Sequence, residues 1–405
     1  MSMTSNIFQP ADILLPADAD MTRWSVIACD QFTSDRRYWE QAESIVGPAP
    51  STLRLMLPEH YLGKRDEDAA TARIQQTMRD YLEQNLFQVF PHSIIYLERI
   101  LPNGMKRRGL IGQVDLEQYD YAKDSATPIR ATEGTVESRL PARVRVRREA
   151  ALEMPHIMLF FNNRSDSVMQ RAEALAGETV YDFDLMLGGG HVLGRRISGA
   201  DADALAAFIS EQTGRDQLQY AVGDGNHSLA AARKLWLEKR ESLDASQRLV
   251  DPARFALVEL VNIHDPAISF EPIHRTLFHT DAVHFVDAAR SALEDPSGHR
   301  CITLLTADKT LQIPVKGATV GNTIDLVETF CRAYIASHGG ELDYIHGDQE
   351  TIDLSTGPDA AGILLPLMEK EDLFASVART GPFPKKSFSI GLGPDKRYYL
   401  ECRKL

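Results

Sequence analysis

Residues 218–239, LQYAVGDGNHSLAAARKLWLEK, contain the transition that decides how the chain is read. Leu218–Val222 has the apolar, aromatic and β-branched character of a short buried strand. Gly223-Asp224-Gly225-Asn226 then turns the chain, and a helix follows over His227–Leu243. Along it Leu229, Ala232 and Trp236 share one face while Lys234 and Glu238 point elsewhere, and Ala230–Ala232 let the helix sit close to a sheet. A glycine-rich turn opening directly into a helix leaves backbone N–H groups unpaired at the positive end of the helix dipole, an arrangement that suits an anion. It is not a Walker loop, because the spacing differs and no Lys-Ser/Thr pair follows. Asp224, Asn226 and His227 crowd the same strand end. Either they converge on a ligand, or Asp224 or Asn226 caps the helix and His227 satisfies a neighbouring carbonyl.

On either side of this segment, strands and helices mix. Glu67–Phe87 reads as a helix on the spacing of Ala70, Ile74, Met78 and Leu82, and residues 93–116 read as two strands joined at Asn103-Gly104, a strong hairpin signal. HIMLFFNN, FALVELVNI, SFEPIHRTLF, CITLLTA, LQIPV and AGILLPL read as strands, with helices at Ala204–Thr213, Thr323–His338 and Lys370–Arg379. Hairpins among mixed elements imply an α+β fold of mixed, largely antiparallel sheets with flanking helices. No Pro/Gly/Ser-rich linker divides the chain. A boundary near residue 200 separates an N-terminal α+β region, 1–200, from a C-terminal one, 201–405, that carries the turn; the alternative is one intertwined unit.

Composition narrows the function. The 405 residues are 43% hydrophobic and 25% charged, as in an ordinary globular protein. With 44 Lys+Arg against 57 Asp+Glu, the net charge of −13 argues against a nucleic-acid partner, which needs a basic face. No apolar run reaches membrane-spanning length, and the first residues lack the pattern of a secretion signal. Cys29, Cys301, Cys331 and Cys402 lie far apart, without metal-ligand spacing, so the expectation is no metal site and a reducing cytoplasm.

Two further segments share the polar character of the turn. In residues 128–149, Arg130, Glu133, Thr135 and Arg139 precede a basic helix, whose Arg143, Arg145, Arg147 and Arg148 read best as a solvated face. In RTGPFPKKSFSIG, Lys385, Lys386 and Ser387 follow two prolines that stiffen the approach. Such clusters on an acidic protein suit a small anion, phosphate or carboxylate.

These segments together resemble the domain of unknown function 1015 family, almost end to end. The family's DGHHR motif and alanine-rich helix correspond to Asp224-Gly225-Asn226-His227-Ser228, with Asn226 and Ser228 replacing the motif's first His and its Arg, so the chain resembles a divergent branch. Ala28-Cys29-Asp30, Ser51-Thr52-Leu53-Arg54, Thr132-Glu133-Gly134-Thr135 with Arg139, Asn262–Pro266 with Ile273-His274-Arg275, Tyr344–Asp348 and Pro384-Lys385-Lys386-Ser387 are similar to its other motifs in order. The turn and helix also resemble the nucleotide-handling turn of the ParB/sulfiredoxin-like superfamily, which includes nucleotide hydrolases and free-serine kinases; Ser228 departs from the Arg that would clamp phosphate there.

Three functions follow as expectations. The first is a phosphoryl-transfer or phosphate-ester enzyme acting on a small metabolite, a small-molecule kinase or nucleotide hydrolase whose substrate could be a hydroxy amino acid. In it Gly223, Gly225 and Asn226 cradle phosphate, and Arg54, Arg139, His274, Arg275, Lys386 and Ser387 bind it. Asp30, Glu133, Asp224 and His227 are the catalytic candidates, and a nucleotide with Mg2+ is the cofactor. The second is a non-catalytic sensor of a nucleotide or phosphorylated metabolite. The third, a nucleic-acid partner, rests on the ParB likeness alone and is opposed by the charge. A homo-oligomer is compatible with all three.

Overall fold

The computed structural model describes residues 6–64, 66–134, 140–214, 217–317 and 319–405. The fold is α+β, with two large sheets among the described residues. The first has eleven strands. Along it lie Thr179–Asp184, His191–Ser198, Phe87–Ile100, Lys106–Asp115, Phe255–Asn262, Met158–Phe161, Tyr220–Asp224, Ile129–Ala131 and Tyr119–Asp120, in that order. The second, six-stranded sheet is wholly antiparallel and takes its strands from Phe270–Ile390.

The hairpin expected at Asn103-Gly104 joins Phe87–Ile100 to Lys106–Asp115, and Gly104 turns it at φ +81°, a conformation open to glycine. Parallel pairing is confined to the middle and one edge of the large sheet, where Met158–Phe161 runs parallel to Phe255–Asn262 and Tyr220–Asp224 parallel to Ile129–Ala131. Met158–Phe161 is wholly apolar and buried on both faces, and Phe255–Asn262 is buried beyond its first residue, with Glu259 and Asn262 its only polar positions.

The expected strand and helix around the turn are Tyr220–Asp224 and Asn226–Arg240. Strand alternation sends Tyr220 and Val222 to one face of the sheet, where Leu229, Ala232 and Trp236 of the helix pack against them, and sends Ala221 to the other. All three helix residues are buried, so the apolar stripe fixes which way the helix faces and thereby where its first turn points.

In chain order the last strand of the first sheet ends at Asn262 and the first strand of the second begins at Phe270, while residue 200 lies at the start of the Gly199–Thr213 helix. The last residues return to the first sheet's surroundings: Tyr398–Tyr399 pairs with Val26–Ile27, and Arg403–Lys404 with Leu152–Glu153.

One expectation is corrected here. In the Leu140–Arg148 helix, Arg145 and Arg148 are exposed, but Arg143 and Arg147 are turned inward with Leu140 and Val144. Arg147 reaches the buried Glu153 at 2.5 Å, and Arg143 reaches Glu59 at 2.6 Å. Charge partners in the interior, absent from the local sequence, hold them there.

Candidate functional site

Gly225 is the hinge of the site. Its φ of +79° lies in the left-handed region, and a Cβ there would stand 3.0 Å from the Ile157 backbone, so both torsion and space call for glycine. Asp224 Oδ1 accepts the Gly225 N–H at 2.8 Å, and Asn226 Oδ1 accepts the Thr132 N–H at 3.2 Å. Neither side chain caps the helix. Both tie the turn to itself and to the neighbouring strand end, and the intrahelical ladder starts with the Leu229 N–H on the Gly225 carbonyl at 3.0 Å. The Gly225 N-cap of this fifteen-residue helix makes no side-chain cap bond, and Gly225, Asn226, His227 and Ser228 line the space beyond it, so the positive end of the helix dipole faces that space.

That turn opens onto a cleft of about 440 Å³. Among the described residues its walls carry four cationic side chains, Arg143, Lys385, Lys386 and Lys396, and three carboxylates, Asp30, Glu133 and Asp224. The local balance is therefore slightly positive on a chain of net charge −13. Lys396 Nζ stands 3.3 Å from Asp224 Oδ2. Burial opposes the charge of Asp224, but Lys396, His156 and the Gly225 N–H outweigh it and hold the carboxyl below the usual carboxylate range. Asp224 is thus ionised at neutral pH. The reverse holds for His346 on the opposite wall: burial, then Lys386 and Lys396, keep the imidazole below its ordinary value.

The lysine loop is anchored from several sides. Phe383 N–H donates to the Thr132 carbonyl at 2.7 Å, Lys386 N–H to Glu133 Oε1 at 3.3 Å, and Arg275 Nη1 to the Lys386 carbonyl at 3.0 Å. These contacts hold Lys386 at φ +57°, a conformation that costs a non-glycine residue about 1 kcal/mol or more.

Below the turn lies a chain of polar groups. His156 Nδ1 and the Tyr399 hydroxyl are 3.0 Å apart, and the same hydroxyl is 3.1 Å from Cys29 Sγ. His156 Nε2 faces Asp30 Oδ2 at 3.8 Å, and Arg143 Nη2 stands 3.9 Å from the same oxygen. Burial and the neighbouring Asp30 push the Cys29 thiol up to about 12, so it is protonated and not a nucleophile.

Of the residues singled out in the sequence, Asp30, Glu133, Gly223, Asp224, Gly225, Asn226, His227, Lys386 and Ser387 line this one cleft. Three lie outside it. Arg54 donates to Glu43 at 2.5 Å and to the Gly47 carbonyl at 2.8 Å. Arg275, 1% exposed, donates to Glu328 at 3.1 Å and supports the lysine loop from behind. His274 is buried; its Nδ1 accepts the Leu365 N–H at 3.0 Å and its Nε2 meets Asp348 at 2.7 Å. Arg139 falls outside the described residues. Sequence reasoning did not place Arg143, His156, His346, Lys396 and Tyr399 in the site. Two of them carried a signal: Arg143 in its spacing with Leu140, Val144 and Arg147 on one helical face, and His346 in the family-like segment Tyr344–Asp348.

Among the described residues no group of three or more His, Cys, Asp or Glu is arranged to hold a metal ion, and no helix is long and apolar enough to cross a membrane.

A family model described as "Protein of unknown function (DUF1015)" matches residues 9–344. No curated protein matches the sequence. Among solved structures, the chain is similar to a free serine kinase in complex with AMP, with a TM-score of 0.38 and 13% identity over 71% of this chain and 90% of that one. It is similar to SbnI with a C-terminal truncation from Staphylococcus aureus, TM-score 0.37 and 10% identity, covering 70% of this chain and 82% of that one. A conserved hypothetical protein from Pyrococcus furiosus gives a TM-score of 0.33 and 13% identity over 69% and 90% of the two chains. At these scores the likeness carries no functional argument.

Proposed function

We propose that this chain, which belongs to the DUF1015 family, binds the phosphate of a small metabolite or nucleotide in the cleft and acts on it by phosphoryl transfer or phosphate-ester cleavage. One observation carries the proposal: the uncapped first turn of the Asn226–Arg240 helix shares a cleft with Lys385, Lys386 and Lys396. Helix N–H groups and the end of the dipole favour an anion, and the lysines add point charges at the same place. Such chemistry depends on positioning and charge stabilisation more than on covalent participation by the protein.

Within this reading Asp224 is an ionised acceptor that orients the turn, not a proton donor. Asp30, beside His156 and Arg143, is the better base for a substrate hydroxyl, with His227 and Glu133 as the other groups in reach of the cleft. The carboxylates are separate rather than caged, so a Mg2+ ion would arrive on the nucleotide's phosphates and take Asp30 or Asp224 as a ligand. A hydroxy amino acid is one acceptor class for this chemistry.

The reading is tested by titrating inorganic phosphate, AMP, ADP and ATP against melting temperature at low and high salt, followed by turnover with and without serine. Stabilisation that grows with ligand concentration and shrinks with salt is expected. Affinity that is flat across salt would remove the phosphate site. A second reading, a sensor without turnover, draws on the engagement of Asp224 by Lys396, which leaves that carboxylate occupied. Binding without turnover of any donor tested would favour it.

A further inference from the structure

Beside the polar cleft lies an apolar chamber of about 150 Å³, and the two share Arg143, His156 and Ser228 as common wall. Leucines 55, 57 and 62, methionines 56, 78 and 154, and Val146, Pro155 and Ile157 supply most of the lining. An apolar cavity of about 150 Å³ takes a benzene ring, and thioethers let the walls adapt to a ring or a branched chain. The charged groups at its edge are engaged with each other, Arg143 with Glu59 and Arg147 with Glu153. They offer little to the polar edge of a nucleobase, which would lose hydration without replacement.

The wall between the two spaces holds the second observation. His156 is 1% exposed, and among the described residues its Nε2 has no hydrogen-bond partner, Asp30 Oδ2 standing 3.8 Å away; Asp30 Oδ1 is likewise a buried atom without one. Unsatisfied buried polar atoms of this kind are rare and costly. An ester oxygen passing between cleft and chamber would accept from a His156 Nε2–H, and a ligand hydroxyl would donate to Asp30 Oδ1.

We infer that the ligand is a phosphate ester of an alcohol bearing a single ring or a short branched aliphatic group, with its phosphate at the helix N-terminus and its apolar group in the chamber. The inference rests on the phosphate-site reading above and narrows its substrate class, away from serine and away from a nucleobase in this chamber.

The test compares inorganic phosphate, methyl phosphate, 3-methylbutyl phosphate, phenyl phosphate and AMP by calorimetry on the full chain. Each methylene buried is worth roughly a fourfold gain, so 3-methylbutyl phosphate should bind at least about tenfold more tightly than methyl phosphate. Val146→Phe and Leu57→Phe, two half-buried chamber positions from different segments, should each remove that gain in protein that remains folded and still binds inorganic phosphate. Equal affinities for the methyl and 3-methylbutyl esters would overturn the chamber inference while leaving the phosphate site intact. So would a gain that survives both substitutions, or AMP affinity that both substitutions abolish, which would put the base in the chamber. Failure of inorganic phosphate and every ester to bind would instead overturn the phosphate reading itself.

Discussion

Lys396 and Asp224 meet at 3.3 Å, joining the chain's final segment to the turn that opens the Asn226–Arg240 helix. The contact places a cation beside the helix N-terminus and keeps the Asp224 carboxylate charged. Lys396→Met should therefore weaken phosphate binding about tenfold, the loss of one charge-assisted contact of roughly 1.5 kcal/mol. It should also change the response to acid. A carboxyl held below its ordinary value of 3.8 adds stability that is complete above that value and disappears as pH falls through the lower, folded value. Without Lys396 the folded value rises, so the acid limb of a melting-temperature profile should shift to higher pH. An unshifted acid limb would show that Lys396 does not set the charge of Asp224.

Gly225→Val forces a β-branched residue to φ +79° and places its Cβ against the Ile157 backbone. The expected loss is about 3 kcal/mol by urea unfolding, together with loss of phosphate binding. Gly225→Asn tolerates the torsion but keeps the contact, so it should fall between wild type and valine.

His227→Ala separates chemistry from architecture. Turnover of the phosphoryl donor should fall about 100-fold with little change in melting temperature if the imidazole moves a proton. An active variant with a lowered melting temperature would assign His227 to the fold.

Arg275→Met removes the guanidinium that bonds Glu328 and the Lys386 carbonyl, with Tyr344 stacked at 4.5 Å. The loss should be roughly 3 kcal/mol, because breaking a buried pair leaves a charge behind, softened here by Arg332, which also bonds Glu328. Phosphate binding should weaken secondarily, through a loosened lysine loop. Unchanged stability would contradict the supporting role.

What the sequence made legible follows from range. The strand–turn–helix at residues 220–240 and the Asn103-Gly104 hairpin are written in adjacent residues, so glycine placement and apolar spacing announce them. Asp30, Glu133 and Lys386 were readable as polar positions in turn-rich segments, but their meeting depends on strand order, which local pattern does not encode. His156 shows the limit: it sits between Pro155 and an apolar strand, and only its distances to Tyr399 and Asp30 give it meaning. Arg54 and Arg275 look alike in sequence to phosphate-binding arginines. Their partners, Glu43 and Glu328, are what distinguish them.

The return of residues 398–404 to the much earlier strands Val26–Ile27 and Leu152–Glu153 also has a temporal meaning. A polypeptide emerges in order, and its early portions begin to fold first. The glycine turn and its helix can form while Lys396 and Tyr399 are still unmade, leaving Asp224 without its counter-ion and His156 without its hydroxyl neighbour. The cleft is then among the last features to be completed during synthesis. Chains arrested before residue 396 should stay protease-sensitive around the turn, whereas release of the remaining residues should close it.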